Sequence, residues 1–350
     1  MAVSHMTRAE IISGLAAHIL TTDLQSEGQF PLFRKTGNEW VMSSRGSWIA
    51  GFWSGCLWLA GYATDSDTLQ NRGRRRWNQI AQGLNADSVF RAMNAWYGFG
   101  PVARLTNDSE AETLLTECQS QLSATFAHWE GFPLGTAMGG GEAGNNRITI
   151  DPCAALIEMG RHADWQSMPM AHTKLMVSQL MTAKGDFYTH SLFRNAWHPE
   201  GISGEWPRGQ SWGVLAMATA ALYDPETYQE KAQHCCERWW QRFGVSIPFN
   251  TAQDSVLLPD ASASLISVVA YLKMHQVMGG VGEWKDRAVA MLDSVLASDC
   301  VTGNTEGIRF SGCCYATAAN RQDSVEMPYG YFFLLQALLI VSGRVEASAF

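Results

Sequence analysis

The chain has 350 residues, 46% of them hydrophobic and 17% charged, with a formal net charge of −8. So much apolar material beside so little charge excludes a disordered chain, and the acidic balance excludes the basic face of a nucleic-acid binder. Barrels of this length form single units, so one domain over residues 1–350 is expected.

Helical periodicity recurs along the chain, broken by short loops containing Gly, Asn and Asp, and alternating strand patterns are scarce. Twelve helices are predicted: Thr7 to Leu20, Trp48 to Ala63, Asp67 to Leu84, Trp96 to Leu105, Glu110 to His128, Pro152 to His162, Met168 to Met181, Gly209 to Tyr223, Thr227 to Phe243, Ala261 to Met278, Glu283 to Ala297 and Tyr329 to Val341. Trp48 to Ala63 and Ala261 to Met278 are apolar nearly all round, the pattern of a helix buried on every side. Asp67 to Leu84, Thr227 to Phe243 and Glu283 to Ala297 carry a charged face. The alternation of buried and amphipathic members, at roughly 50 residues per pair, predicts six helical hairpins in an all-α, (α/α)6 barrel of two concentric rings. A helical solenoid competes with it and is disfavoured, because no fixed-period repeat is visible. In a double ring the inner helices start on one face, so the long loops Gly131 to Thr149 and Phe187 to Trp206 are expected to frame a cleft. The basic cluster Arg72, Arg74, Arg75 and Arg76 reads as a solvated helix face.

Eight cysteines, two adjacent pairs among them, do not make a disulfide framework in a chain of this size; free thiols in a reducing compartment are expected. There is no Cys-x-x-Cys, and the histidines are not set at metal-ligand spacing, so no metal and no cofactor is expected. With no charged leader and no run of about 18 apolar residues, the protein reads as soluble and cytoplasmic, with neither membrane nor nucleic acid as partner.

The richest stretch is Ile202 to Gly213, where Trp206, Arg208, Gln210 and Trp212 gather around Gly209. Flat indole faces suit the C–H face of a pyranose, a guanidinium fork suits a carboxylate, and an amide both donates and accepts. The set suits an acidic sugar. Asp151, followed by Pro152, has the pattern of a helix N-cap; with Arg147 nearby and a glycine-rich loop from Gly139 to Gly144 before it, the same carboxylate among aromatic groups also suits a general acid of raised pKa. His190 and His198 each suit a substrate hydroxyl or carboxylate, or plain packing beside aromatics. Trp48 and Trp53 flank Gly51, one suited to line the cleft and the other to pack. No Walker loop, Gly-x-Ser-x-Gly elbow or dinucleotide fingerprint occurs, which removes support for phosphoryl transfer, serine esterase and nicotinamide chemistry.

The ordered blocks Trp48-x-x-Gly51-Phe52-Trp53-Ser54-Gly55, Arg147-Ile148-x-Ile150-Asp151, Trp206-x-Arg208-Gly209-Gln210-x-Trp212, Asp260-x-Ser262-Ala263-Ser264 and Gly330-Tyr331-Phe332-Phe333 resemble the unsaturated glucuronyl hydrolases, glycoside hydrolase family 88, over about residues 30–341. Gln210 leans to that branch, since the unsaturated rhamnogalacturonyl hydrolases usually have Arg-Gly-Asn-Gly-Trp there. The resemblance implies a six-hairpin barrel and metal-free hydration of the 4,5-double bond of the unsaturated uronic acid that polysaccharide lyases leave on an oligosaccharide. It implies that Asp151 is proton donor and base, and that Trp48, Arg147, His190, His198, Trp206, Arg208, Gln210 and Trp212 bind substrate. A monomer or homodimer is expected.

Three departures mark a divergent member. Where the family has a second catalytic aspartate this chain has Asn94, which keeps the shape, adds a donor and loses the charge. The family's stacking Trp before the catalytic Asp is replaced near Thr136, and its Gly-Asp-Tyr by Gly330-Tyr331-Phe332. Other substrates therefore stay open: an unsaturated rhamnogalacturonan disaccharide, or a saturated glucuronide, which needs two carboxylates and so a replacement such as Glu142, Glu200 or Glu205. A uronate-binding relative without catalysis also stays open.

Overall fold

The computed structural model describes the chain except residues 1–2, 36, 162–164, 252–256 and 315–323. Its helices are α1 (Arg8–Gln25), α2 (Ala50–Ala63), α3 (Asp67–Arg74), α4 (Trp77–Gly83), α5 (Arg91–Thr106), α6 (Ser109–Ser123), α7 (Cys153–Met159), α8 (Ser167–Gln179), α9 (Pro207–Tyr223), α10 (Pro225–Phe243), α11 (Ala261–Val277), α12 (Trp284–Ala297) and α13 (Pro328–Val341). Six of them form a closed inner ring: α2 packs on α5, α5 on α7, α7 on α9, α9 on α11, α11 on α13, and α13 back on α2. Outside it, α1 and α3 cover α2, α6 covers α5, α8 covers α7, α10 covers α9 and α12 covers α11. This is the (α/α)6 barrel.

Sequence decides the layer. In α13 every residue but Ile340 is buried, and in α11 every residue from Ala261 to Met274, so these helices have no face left for water. By contrast α10 buries five residues, Tyr228, Ala232, Cys235, Cys236 and Trp239, along one stripe. Side chains the size of Leu or Phe contribute about 1.5–3 kcal/mol each when fully buried, which makes the ring the main source of stability. Where α2 meets α5 the backbones nearly touch: a Cβ on Gly51 would stand 2.2 Å from the Asn94 carbonyl oxygen, and one on Gly55 2.2 Å from that of Tyr97. Only glycine permits that approach.

Several helix boundaries differ from the periodicity: α1 runs on to Gln25 instead of ending at Leu20, and α6 stops at Ser123 instead of His128. Asp67 to Leu84 is two helices, because Arg75 and Arg76 break the run between α3 and α4 and Arg76 turns inward to the buried carboxylate of Asp23. The helix expected from Trp96 begins at Arg91, which sets Asn94 inside α5. The expected end of α7 at His162 lies outside the described residues.

The strands all fall in segments that lead from an outer helix into an inner one. They are β1 (Phe30–Lys35), β2 (Val41–Ser43), β3 (Arg147–Thr149), β4 (His190–Phe193), β5 (Trp197–Glu200), β6 (Val301–Asn304), β7 (Gly307–Phe310), β8 (Cys313–Cys314) and β9 (Ser324–Glu326). They pair antiparallel as β2-β1-β9-β8, β3-β4-β5 and β6-β7. A buried knot ties the first sheet to the helices: Arg34 forks onto Glu326 at 2.8 Å from both Nε and Nη2, and His18 and Tyr331 meet the same carboxylate. At the opposite end of the barrel Lys273 of α11 donates to Glu158 of α7 at 2.6 Å, and Tyr223 of α9 donates to the other oxygen at 2.5 Å. The eight cysteines are free and buried. Among the described residues no helix is long and apolar enough to cross a membrane.

Candidate functional site

The sheet β3-β4-β5 stands beside the start of α7, and its register builds one face of the site. Thr149 lies opposite His190, which lies opposite Glu200; one step along, Arg147 faces Leu192, which faces His198. Alternation puts these six side chains on the same face, with Ile148, Ser191 and Pro199 on the other. Arg147 grips Glu200 with Nε at 2.6 Å and Nη2 at 3.0 Å. His198 is exposed at the margin.

Asp151 follows two residues beyond Thr149. The expected cap is not made: α7 starts at Cys153, Pro152 occupies the cap position, and no side chain caps the helix. The half-buried carboxylate instead accepts the Thr149 hydroxyl at 2.7 Å. Burial raises its pKa from the ordinary 3.8, against the hydrogen bond from Thr149 and the charges of His190 and Arg208. Burial likewise holds His190 below 6.5, opposed by Asp151 and Glu200 and aided by Arg147. Asp151 thus feels the charges of both His190 and Arg208, as a shared site requires.

Arg208 forms the second wall, at the start of α9. It is 5% exposed, and its Nη1 donates to Asp260 Oδ2 at 2.8 Å, the Cys314 carbonyl at 2.9 Å and the Tyr329 hydroxyl at 2.9 Å. Burial disfavours the cation, but Asp260 foremost raises the pKa on balance and keeps the charge. Its guanidinium lies 5.2 Å from the Trp206 ring and 5.3 Å from that of Tyr329. Tyr329 in turn sits 5.6 Å from Trp48. A band Trp206, Arg208, Tyr329, Trp48 results, its two tryptophans half-buried. Trp206 folds over the first turn of α9 because residue 209 lacks a side chain: a Cβ there would stand 2.3 Å from the indole.

Three expected site residues are placed otherwise. Gln210 is 0% exposed; its Oε1 accepts the Phe187 N–H at 2.9 Å and its Nε2 donates to the Gly185 carbonyl at 2.8 Å, so it brackets the loop that leads to His190 and has no end left for a ligand. Trp212 is 1% exposed and packs edge-on against Phe333, inside the ring. Both face inward because α9 is buried at every residue from Pro207 to Ala221. Asn94 is 4% exposed and has no hydrogen bond to Asp151; it accepts from Gly51 N–H at 3.0 Å and donates to the Ser47 carbonyl at 2.8 Å. Conversely, Asp260 and Tyr329 were not foreseen. Their signals were the Asp260-x-Ser262 block, in which Ser262 donates to Asp260, and the aromatic residue opening the last inner helix.

Two cavities, of about 340 and 400 Å³, lie away from this site, one among α7, α8, α9 and α10, the other beside α1 and the α3–α4 junction.

No protein-family model matches the chain. Its sequence is 22% identical, over 93% of this chain and 94% of the relative, to the unsaturated glucuronyl hydrolase of Bacillus sp. (strain GL1). A crystal structure of unsaturated glucuronyl hydrolase from Bacillus sp. GL1, responsible for the degradation of glycosaminoglycan, matches with a TM-score of 0.84 at 20% identity over 97% of this chain and 98% of that one. A structure of UGL with asparagine in place of one aspartate, together with dGlcA-Glc-Rha-Glc, matches with a TM-score of 0.82 at 20% identity over 95% and 97%. The likeness in structure carries the fold.

Proposed function

Since this chain is a divergent member of the unsaturated glucuronyl hydrolase family, we propose that it is a hydrolase acting on unsaturated glucuronyl sugars, a single catalytic domain with Asp151 at its centre. The observation that carries the proposal is the Asp151 carboxyl: half-buried, released from helix capping, held by Thr149 and raised in pKa beside His190 and Arg208.

A carboxyl held above its ordinary range is still protonated where a free aspartate is not, and so can deliver a proton. Asp151 gives its proton to C4 of the ring double bond, and the positive charge develops at C5 beside the ring oxygen. Water adds at C5 and returns a proton to the same carboxylate, so donor and base are one residue. The hemiketal that forms opens, releasing the uronyl unit as a keto sugar and the remaining oligosaccharide with a free hydroxyl. Arg208, fixed through Nη1 by Asp260 and Tyr329, meets the substrate carboxylate. Trp206 and Trp48 offer faces to the sugar ring, His190 bonds a hydroxyl, and the exposed His198 meets the leaving sugar. Arg147 and Glu200 lie on the same face as His190 and, after burial and Asp151, push its pKa in opposite directions.

The saturated-glucuronide alternative loses two of its three candidate second carboxylates, because Glu200 is committed to Arg147 and Glu142 is exposed on a separate turn; it rests on Glu205 alone, half-buried beside Trp206. The test is incubation with lyase-generated unsaturated disaccharides while the ultraviolet absorbance of the conjugated double bond is followed. Loss of absorbance is expected. Silence on a broad panel, with uronates still bound, would leave a binding protein.

A further inference from the structure

The run Arg72, Arg74, Arg75 and Arg76 reads in sequence as one solvated face, but in the fold the four separate. Arg74 pairs with Asp108 at 2.6 Å and lies 4.9 Å from the Trp77 ring. Arg72 and Arg76 turn in to Asp23, a carboxylate 1% exposed that also accepts the Trp53 indole N–H at 3.0 Å. Two guanidiniums on one carboxylate leave one positive charge uncancelled. Arg75 is exposed and makes no ion pair among the described residues.

The cavity of about 400 Å³ beside α1 and the α3–α4 junction is lined by Arg72, Arg75 and Arg76, with Asp23, Glu27 and Gln79. Arg76 is 5% exposed; its Nη2 serves Asp23 and the Ser26 hydroxyl, while its Nη1 is buried with no partner. That nitrogen lies within the cavity wall, just beneath its surface. A Cβ built on Gly28, another residue of the cavity wall, would have Arg76 Nη1 at 3.9 Å and nothing else within 4 Å. A buried N–H of a cation without an acceptor is costly, and three arginines here outnumber two acids, one of which is already consumed.

We propose that this cavity is a binding site for a small tetrahedral oxyanion, sulfate or phosphate, free or as an ester on a sugar. One oxygen takes the Arg76 Nη1 donor, and the Arg75 guanidinium closes over the others, the planar fork matching the anion edge. The site lies on the outer layer, and its occupancy does not depend on the activity proposed above.

The experiment is calorimetric and thermal titration of the whole protein with sodium sulfate, sodium phosphate and glucosamine 6-sulfate, against sodium chloride of matched ionic strength and unsulfated glucosamine. Because sulfate and phosphate stabilise folded proteins by exclusion alone, the readout is saturable heat and the difference between wild type and Arg75→Ala. Arg75 makes no contact that folding needs, and circular dichroism checks that the variant folds. Wild type should bind saturably, Arg75→Ala at least about ten-fold more weakly, and Glu27→Gln more tightly through loss of a like charge. Binding of the free anions alone assigns the inorganic source, and binding of the sulfated sugar alone assigns the ester. Absence of saturable binding in wild type, or equal binding by Arg75→Ala, overturns the proposal.

Discussion

Asn94 and Gly51 are joined by a hydrogen bond in which the Asn94 side chain accepts the Gly51 N–H at 3.0 Å, while the other end of the same amide donates to the Ser47 carbonyl at 2.8 Å. Both partners belong to the turn that carries Trp48 into α2. An aspartate can make the first bond but, when ionised, has no hydrogen for the second. The asparagine therefore belongs to this backbone bracket and is a positioning residue for Trp48.

Asn94→Asp is accordingly expected to harm the protein. It sets a carboxylate against a carbonyl in a site 4% exposed and should lower stability by about 1–3 kcal/mol, with KM rising as Trp48 shifts. Chemical denaturation and steady-state kinetics on the unsaturated disaccharide check this; a large rise in kcat would show that the missing charge had been limiting.

Asp151→Asn should reduce turnover by about 10²–10⁴-fold, the range of a lost general acid–base group, with the fold intact. In wild type the alkaline limb of kcat/KM should lie above the ordinary aspartate value of 3.8, because burial raises this carboxyl, and activity should fall as pH rises through it. The stability sign follows from the same shift. The folded state holds the proton more tightly than the unfolded one, so the contribution is full at low pH and is lost as pH rises through the folded pKa. The asparagine variant should then melt higher than wild type at neutral pH, the gap closing towards pH 4. Equal melting curves across that range would contradict the burial of the charge.

Glu200→Gln should lower the pKa of His190, and Arg147→Gln should raise it, because Glu200 supports the imidazolium and Arg147 opposes it. Nuclear magnetic resonance titration of the His190 ring reads both directly. Identical titrations in the two variants would mean that the pair is too far from the ring to act.

Gly209→Ala tests the aromatic wall. Its Cβ would enter the space of the Trp206 indole at 2.3 Å, so the ring must leave the first turn of α9. Affinity for uronyl disaccharide should drop by about ten-fold or more, in line with about 0.5–1.5 kcal/mol for stacking plus the displaced contact with Arg208. Gln210→Leu is the contrast: it should cost about 1–3 kcal/mol of stability, because the Gly185 and Phe187 backbone groups lose their partner.

What could be read in the sequence depended on whether the pattern was local. The layer of each helix was plain because α11 and α13 are apolar on all sides and α10 is not. The break between α3 and α4 was not, because Arg75 and Arg76 are ordinary helix formers and only the distant Asp23 draws one of them inward. Trp206 and Trp212 look alike as letters six apart. Their fates differ because one precedes the helix, where the chain is still extended, and the other has turned into the ring. Asp260 and Tyr329 come from segments far from Arg208 in sequence, and nothing local announces that two other inner helices bring residues at their starts to one guanidinium. The row Thr149, His190, Glu200 needs a strand register, and strands of three or four residues leave too short an alternation to reveal one.

The contact of α13 with α2 makes the inner ring endless, and that governs how the protein comes apart. In a linear stack the outermost unit has one neighbour and frays first. Here each inner helix leans on two, so removing any one bares two apolar flanks together, and no hairpin is a natural place for loss to begin. A chain of this length would ordinarily unravel in stages, but closure turns six modest hairpins into one cooperative body. Trp48, at the entry to α2, and Arg208, on α9, depend on helices that are not neighbours, and the band they share is therefore held or lost as one.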